Sequence, residues 1–278
     1  MNWQADRKEI WNRLSKRLQT TPPDASLRIL LLAAHPDDET IGASVVLSRF
    51  PQTAVVFLTD GAPRDTRFWS AGVNGSREDY AETRRWEALR ALALAGISNH
   101  RVFWLGGVDQ EAVFEIGMLA ERFTKLLCEM RPEIVITHAY EGGHPDHDSA
   151  AVVAAVATSS LETPPTVLEM TSYHAVDGRC VTGEFLNSDP VLESCFELSS
   201  GDRGRKRQMM DVYASQRLVL ENFSIDYERL RMAPTYDFSE PPHPGKLWYE
   251  CMGWPMTGTR WRELATPVLA GLEEHSCR

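Results

Sequence analysis

Residues 30–39 read Leu30-Leu31-Leu32-Ala33-Ala34-His35-Pro36-Asp37-Asp38-Glu39, an apolar run that ends in an imidazole and three carboxylates. An unbroken apolar run of this length predicts a strand that is buried on both faces, as in a parallel sheet covered by helices. Open α/β sheets place their chemistry at the carboxyl ends of such strands. This stretch therefore predicts an α/β fold with a site directly after its first strand.

A second stretch repeats this arrangement farther along the chain. The apolar run Glu133-Ile134-Val135-Ile136-Thr137 leads into Gly142-Gly143-His144-Pro145-Asp146-His147-Asp148, which brings two more imidazoles to the end of a strand. A catalytic zinc takes about three protein ligands and keeps one position open for water. The residues that fit this chemistry are His35, Asp37, Asp38, His144 and His147. Together the stretches predict a divalent-metal hydrolase site, and spacing alone leaves open which of these residues bind the metal.

Strand-like and helical patterns alternate through the first half of the chain. Apolar runs of strand length fall at 27–34, 54–59, 101–105 and 133–137, and helical patterns fall at 6–18, 76–96, 111–130 and 149–157. Alternation of this kind predicts parallel strands covered by helices. The expected fold class is α/β, a Rossmann-like three-layer α/β/α arrangement with a mostly parallel sheet.

The pattern weakens in the second half of the chain. Short β-like pieces fall at 167–174 and 195–198, a helix is predicted over 204–215, and the segment 234–258 is rich in turns and aromatic residues. Pro267 predicts an interruption or kink in the last helical stretch, 260–274, because proline removes a helical hydrogen bond. We expect this half to complete the fold and to form a wall of the site.

The composition indicates a globular chain with a small partner. Its 278 residues and 43% hydrophobic content suffice for one large domain over 1–278. A formal net charge of -10 disfavours nucleic acid and anionic membrane surfaces, because phosphate groups bind basic surfaces. No stretch approaches the roughly 18 continuous apolar residues of a membrane span. A small-molecule partner is expected, and the sequence leaves open whether the protein forms a homo-oligomer.

The cysteines indicate a reducing compartment. They are Cys128, Cys180, Cys195, Cys251 and Cys277, an odd set without a Cys-x-x-Cys pair. Reduced thiols in such a set are typical of a cytosolic protein, and the first residues lack the apolar core of a signal peptide. The expected location is the cytoplasm.

The paired motifs resemble those of the PIG-L, or LmbE-like, family of zinc-dependent N-acetylglucosaminyl deacetylases. The resemblance rests on Ala34-His35-Pro36-Asp37-Asp38-Glu39 and His144-Pro145-Asp146-His147, and it covers a motif-bearing core over residues 27–158. It implies a hydrolase that removes an N-acetyl, or other acyl, group from an N-acetylglucosamine-type sugar or glycoconjugate. The nucleophile would be a metal-activated water.

The resemblance also implies a role for each motif residue. His35, Asp38 and His147 would bind Zn²⁺, although Fe²⁺ or another divalent metal would accept the same ligands. Asp37 would be the general base. His144 would stabilise the oxyanion and, as imidazolium, protonate the departing amine.

Two further positions are candidates for substrate binding. Arg84 opens Arg84-Arg85-Trp86-Glu87, which resembles an Arg-x-x-Glu segment of the family whose arginine faces the active site; a charged helix face is the alternative. Tyr140 precedes the second motif on a loop that must face the site, where it could bind a sugar hydroxyl. The late aromatic residues either stack on a sugar or aglycone or fill the core: Trp248, Tyr249, Trp254 and Trp261.

Several polar residues near the motifs have a structural interpretation. Asp146 and Asp148 are expected to hold a turn or cap a helix rather than to support a histidine. His138 and His174 are expected to be structural histidines. Glu39 suits a helix start, where a carboxylate is favourable, and a functional role for it stays equally open.

Two other functions compete with deacetylation. A metallophosphoesterase would need two metals about 3.5–4 Å apart and more ligand clusters than the motifs supply. A catalytically retired, metal-containing sugar-binding protein would keep the metal for structure. Closed structural zinc sites are usually rich in cysteine, and the cysteines here lie outside both motifs.

Overall fold

The structure is a computed structural model that describes residues 3–70 and 73–276, with side chains described over 6–70 and 73–270. Its strands are β1 (Ile29–Ala33), β2 (Ala54–Thr59), β3 (Val102–Gly107), β4 (Ile134–His138), β5 (Thr166–Met170), β6 (Tyr173–Val176), β7 (Arg179–Thr182), β8 (Glu193–Glu197) and β9 (Tyr227–Met232). Its α-helices are α1 (Trp3–Gln19), α2 (Asp38–Arg49), α3 (Arg77–Leu94), α4 (Ile116–Met130), α5 (Pro145–Ser159), α6 (Ser200–Val212), α7 (Arg217–Leu220), α8 (Trp248–Cys251) and α9 (Gly258–Ser276).

A seven-stranded sheet forms the middle layer, in the order β3-β2-β1-β4-β5-β9-β8. β1 pairs in parallel with β2 on one side and with β4 on the other, and β3 and β5 extend these pairs in parallel. β9 then pairs with β5, and β8 pairs with β9, both in the antiparallel sense. The predicted α/β class with a mostly parallel sheet is confirmed.

Helices cover both faces of this sheet because alternate strand residues point in opposite directions. On β1, Leu31 packs in a cluster with residues of α1, α2, α3 and α6. Leu30 and Leu32 pack on the opposite face with residues of α4, α5 and α9. The predicted three-layer arrangement follows from these two apolar clusters.

The chain order reverses at β1, and this positions the site. From β1 the chain proceeds through β2 to β3 on one side and returns through β4 to β5 on the other. Ligands of open α/β sheets bind in the crevice at such a switch point, outside the carboxyl ends of the strands. Both histidine motifs follow strands that flank this crevice, since His35 follows β1 and His144 follows β4.

The helices predicted in the first half are present, although some begin at other residues than predicted. The predicted helix over 76–96 corresponds to α3, where the Ser76 side chain accepts the Asp79 N–H and the Asp79 carboxylate accepts the Ser76 N–H. α5 begins at Pro145, ahead of the predicted 149–157, and His144 is its N-cap residue. The second motif is therefore fixed to a helix start.

The second half departs from the predicted elements. The piece at 167–174 divides into β5 and β6, because β6 leaves the large sheet and pairs with β7 as a separate hairpin. The sequence pattern does not predict β9, since Glu228, Arg229 and Arg231 interrupt its apolar alternation. Of the predicted interruption or kink at Pro267, the interruption is wrong, because α9 continues through this residue, and the kink stays a prediction. Pro267 lies on an exposed side of α9, where water can satisfy the carbonyl that loses its partner.

Two further features of the described residues are their cysteines and the length and polarity of their helices. Cys128, Cys180, Cys195 and Cys251 are exposed and free, and Cys277 lies outside the described residues. Within the described ranges, every helix is too short or too polar to cross a membrane.

Candidate metal centre and active site

Three candidate metal ligands converge between the carboxyl ends of β1 and β4. His35 Nδ1 lies 3.3 Å from Asp38 Oδ2, and His147 Nε2 lies 3.2 Å from Asp38 Oδ1. Two metal bonds of about 2.0–2.2 Å at a tetrahedral angle would hold two ligand atoms about 3.3–3.5 Å apart. These donors therefore have the spacing and the chemistry that a divalent metal such as zinc requires.

The charge states of these buried ligands suit a metal. Burial acts to raise the pKa of Asp38, but the neighbouring His147 and His138 outweigh it and hold that pKa well below its usual value. Burial, together with the nearby His138, lowers the pKa of His147 to about 3. An ionised carboxylate and a neutral imidazole are the forms that bind a metal ion.

Two carboxylates contact the other nitrogen of His35. His35 Nε2 lies 3.1 Å from Asp146 Oδ2 and 3.3 Å from Asp109 Oδ1. A carboxylate on the outer nitrogen of a ligating histidine fixes its tautomer, so that Nδ1 faces the metal. The prediction that Asp146 only holds a turn or cap is therefore wrong. Its carboxylate does bind the backbone N–H groups of Gln110 and Ala112, but it also supports the histidine.

Asp109 is a site residue that the sequence motifs do not reveal. It lies in the loop after β3, and its Oδ1 also lies 3.7 Å from His144 Nε2. Donor atoms of His35, Asp109, His144 and Asp146 all lie within 4.8 Å of one another, so they form a second group that could hold a metal ion. The position of Asp109 beyond the end of a parallel strand is the sequence signal that points to it.

His138, at the end of β4, contacts two of the candidate metal ligands. Its ring stacks on His147 with the ring centroids 4.0 Å apart, and its Nε2 lies 3.3 Å from Asp38 Oδ2. The same Nε2 accepts the Ala34 N–H at 3.1 Å. His138 thus has the predicted structural role, and it fills that role in direct contact with two candidate ligands.

Asp37 lies beside the two groups of residues that could hold a metal ion, and it belongs to neither of them. Its φ of 125° is a conformation that few non-glycine residues adopt. Glu39 holds this backbone, because its Oε2 accepts the Asp37 N–H at 2.9 Å while its Oε1 accepts the Tyr213 hydroxyl at 2.6 Å. Burial raises the pKa of Asp37 to about 7, against the opposing effect of the Arg84 guanidinium.

Arg84, on α3, is buried behind Asp37. Its Nη2 donates to Asp37 Oδ2 at 3.1 Å and to the backbone carbonyl of Pro36, and its Nε donates to the backbone carbonyl of Gly61 at 3.2 Å. A side chain at Gly61 would collide with Arg84 Nε, since an added Cβ would lie 2.9 Å away. These contacts describe a residue that positions the first motif, and a contact of Arg84 with substrate stays a prediction.

His144 presents one nitrogen to the site. Its Nδ1 accepts the backbone N–H of Asp146 at 3.0 Å, so the proton of a neutral ring is on Nε2. Burial and the nearby His35 and His147 hold the pKa of His144 well below its usual value. The geometry therefore favours a neutral ring that donates a hydrogen bond from Nε2, whereas the family resemblance implies an imidazolium.

The predicted aromatic residues divide between core and site. Tyr140 is only 3% exposed, its hydroxyl donates to the Glu240 carbonyl at 2.9 Å, and its ring stacks on Trp261, so its contact with a sugar stays a prediction. Tyr249 and Trp261 fill the core. Trp254 differs, because its ring lies edge-on to that of His144 with the centroids 4.6 Å apart.

Comparison with known proteins finds relatives with a stated activity. The 1D-myo-inositol 2-acetamido-2-deoxy-alpha-D-glucopyranoside deacetylase 1 of Catenulispora acidiphila is 31% identical over 157 residues, which cover 48% of each protein. The chain thus spans about half the length of this curated relative.

Two solved structures share the fold. The pseudoaglycone deacetylase of an antimicrobial reagent has a TM-score of 0.58 at 18% identity, over 77% of this chain and 99% of that one. The 4-carboxy-2-hydroxymuconate hydratase of Pseudomonas putida has a TM-score of 0.51 at 14% identity, over 76% of this chain and 98% of that one. Since a deacetylase and a hydratase share this fold, the fold alone does not decide the reaction.

The family assignment comes from the sequence itself. A family model described as PIG-L, GlcNAc-PI de-N-acetylase, matches residues 30–158. That range contains both histidine motifs and the loop of Asp109. Residues 30–158 therefore match the PIG-L, or LmbE-like, family.

Proposed function

We propose that the protein is a metal-dependent hydrolase that removes an N-acetyl, or other N-acyl, group from an N-acetylglucosamine-type sugar or glycoconjugate. The observation that carries this proposal is the buried carboxylate of Asp37 beside, but outside, the three-donor group of His35, Asp38 and His147. A hydrolytic site needs this separation, because the general base must reach the nucleophilic water without being a ligand itself. The match of residues 30–158 to the family model and the stated activity of the relative support the same chemistry.

Asp37 is the proposed general base. A pKa raised to about 7 by burial suits a carboxylate that takes a proton from water near neutral pH. The water oxygen bonds to the amide carbon as Asp37 accepts that proton. The same carboxyl group can then give the proton to the amide nitrogen as the carbon–nitrogen bond breaks, which releases the free carboxylic acid and the amine.

His144 is the proposed partner of the carbonyl oxygen. Its Nε2–H can donate to that oxygen as negative charge develops, and hydrogen bonds to such a charge strengthen in the transition state. The lowered pKa of His144 supports this neutral donor role over protonation of the amine by an imidazolium.

Zinc is the proposed metal. Two imidazoles and one carboxylate, from His35, His147 and Asp38, are a ligand set of catalytic zinc, and Fe²⁺ or another divalent ion would accept it too. When bound, such an ion lowers the pKa of a water molecule and polarises a carbonyl oxygen.

A two-metal phosphoesterase is the second candidate, because one observation favours it. The group of His35, Asp109, His144 and Asp146 adjoins the first group and shares His35 with it. Two-metal sites hold their ions about 3.5–4 Å apart. Two metal ions per chain together with hydrolysis of a phosphate ester would favour this function, whereas one ion per chain favours the deacetylase.

The proposed partner is a small N-acetyl sugar or glycoconjugate. Arg84 and Tyr140 remain candidates for binding it. A homo-oligomeric state and a cytoplasmic location also stay predictions.

The test is the release of acetate from N-acetyl sugars by zinc-loaded protein. Chelation should abolish the release and added metal should restore it. Asp37→Ala should keep its metal and lose about 10²–10⁴-fold in kcat, while His35→Ala should lose the metal. Metal-free Asp37→Ala protein would show that Asp37 is a ligand. Binding of sugar without acetate release would favour the retired sugar-binding protein.

A further inference from the structure

A pocket of about 470 Å³ opens beside His144, between the loop after β3 and the C-terminal aromatic segment. Its volume lies in the range of small-molecule sites, about 300–1,000 Å³. Its walls include Asp109, Phe114, Pro145, Trp254, Met256 and Arg260. Asp109 joins the pocket to the candidate metal centre, because its Oδ1 lies 3.3 Å from His35 Nε2.

The position of this pocket next to His144 indicates which part of a substrate would enter it. The argument rests on the proposed function, in which His144 contacts the reacting amide. His35, Asp38 and His147 are buried, so the rest of the substrate must extend from the amide toward open space. The pocket offers that space next to His144, since Pro145 and the ring of Trp254 both adjoin its imidazole. The sugar and the group attached to it would therefore point into this pocket.

The residues that line the pocket differ in chemistry. The carboxylate of Asp109 can accept hydrogen bonds from sugar hydroxyls. The aromatic rings of Trp254 and Phe114 also line the pocket, and Phe114 is 58% exposed. Aromatic rings at the mouth of a site bind flat apolar groups by stacking.

The arginines that line the pocket are paired with carboxylates, so they offer no free charge to a ligand. Arg64 Nε lies 3.0 Å from Glu111 Oε1, and Arg260 Nη1 lies 3.0 Å from Glu263 Oε2. Phe68 packs against Trp254, with its ring edge-on to the indole at a centroid distance of 5.7 Å.

We propose that this pocket contains an aglycone subsite for an uncharged, flat apolar ring attached to the N-acetyl sugar, with Phe114 and Trp254 as its walls. The binding energy of this ring would help to position the amide at the sugar nitrogen and would so increase kcat/KM. The protein would then prefer glycosides with a ring aglycone over the free sugar.

The experiment compares phenyl N-acetylglucosaminide, as either anomer, with N-acetylglucosamine on zinc-loaded protein. Both kcat/KM from acetate release and Kd from calorimetry are measured. The native protein should prefer at least one phenyl anomer, and Phe114→Ala should reduce that preference about 5- to 10-fold, the usual contribution of one aromatic contact. Trp254→Ala should reduce it too and should also lower kcat through His144. Leu218→Ala, which removes a 72% exposed side chain on α7, should change nothing.

Each result separates this proposal from the proposed function. Equal values for the phenyl glycosides and the free sugar, or a loss in Phe114→Ala that is the same for both, would overturn the subsite. Absence of acetate release from every sugar would instead count against the deacetylase. Calorimetry would still decide on the subsite in that case, because the preference in Kd does not depend on turnover.

Discussion

The backbone of Asp37 is strained, and the surrounding residues maintain that strain. A φ of 125° in a residue with a side chain costs on the order of 1–3 kcal/mol. Glu39 binds the backbone N–H of Asp37, and Arg84 binds its carboxylate, so the conformation is fixed at both ends. This arrangement keeps the Asp37 carboxylate beside the candidate metal ligands, of which its neighbour Asp38 is one.

Arg84→Gln should move the acidic limb of the pH–activity profile to higher pH. The guanidinium opposes the rise in the pKa of Asp37, so its removal should raise that pKa further. A base with a higher pKa loses its ionised form at a higher pH as the medium is acidified. The measurement is kcat/KM against pH, with Arg85→Gln, one position away on an exposed face of α3, as the matched control.

The same variant tests the alternative role of Arg84. A substrate contact would raise KM for the sugar and leave the acidic limb in place. An unmoved limb with a raised KM would therefore assign Arg84 to the substrate, as the sequence predicts.

His144→Ala should retain the metal and lose about 10²–10³-fold in kcat, with a smaller change in KM. The reason is that an oxyanion donor acts mainly in the transition state. Metal analysis and steady-state kinetics give both numbers. Loss of the metal would identify His144 as a ligand.

The alkaline limb of the pH–activity profile distinguishes the two proposed roles of His144. A neutral Nε2–H donor leaves that limb unchanged in the His144→Ala variant. An imidazolium acid would make the limb disappear or shift in the variant, because its loss of a proton would set the limb.

Much of the site can be predicted from the sequence, because each motif fixes its own residues. His35 and Asp38 lie within one turn after β1, and His144 and His147 lie at the start of α5. Asp109 cannot be found in this way. It lies alone in a loop, and only the parallel pairing of β1, β2 and β3 brings it to His35.

At the scale of elements, α2 is two short helices joined at a break. Ala43 has non-helical angles, with φ of -146° and ψ of 21°. Glu228, on β9, accepts the freed N–H groups of Ser44 and Val45, each at 3.0 Å. Lys206, on α6, donates to the Ile41 carbonyl at 2.7 Å and to Glu228 at 2.9 Å. The pair thus holds the helix that carries Asp38.

Glu228→Leu should lower the free energy of unfolding by about 3–5 kcal/mol, because it leaves Lys206 as a buried charge without its partner. Denaturant unfolding measures this loss. The double variant Glu228→Leu with Lys206→Met should recover part of it. Glu121→Gln on α4, which breaks the exposed pair of Glu121 with Lys125, is the control and should have no measurable effect. A negligible loss in Glu228→Leu would show that the pair contributes nothing.

Local patterns predict some of these elements and miss others for a physical reason. α3 has its cap in its own sequence at Ser76, and α4 has its apolar stripe. The break in α2 depends on Glu228, which lies 184 positions from Ser44. β9 likewise carries charges whose partners come from other elements, such as Glu169 for Arg231. Contacts of this range leave no signal in a local window.

At the scale of the whole molecule, the C-terminal half packs directly on the second motif. The indole of Trp261 donates to the Pro145 carbonyl at 3.0 Å and contacts Ser149 Oγ at 3.1 Å. The Trp248 N–H donates to the Gly142 carbonyl at 2.8 Å. Together with the pairing of β9 to β5, these contacts join the two halves of the chain across the site.

We therefore expect the chain to unfold as one cooperative unit, in agreement with the single domain predicted over 1–278. Scanning calorimetry should show one transition, with equal calorimetric and van't Hoff enthalpies. Phe123→Ala, in the first half, should lower its midpoint by removing a fully buried ring, at a cost of about 3–5 kcal/mol. Trp261→Phe, in the second half, should lower the same midpoint by removing the bond to Pro145. Two transitions that each respond to only one of these variants would instead show that the halves fold separately, and the site would then lie at a boundary between two units.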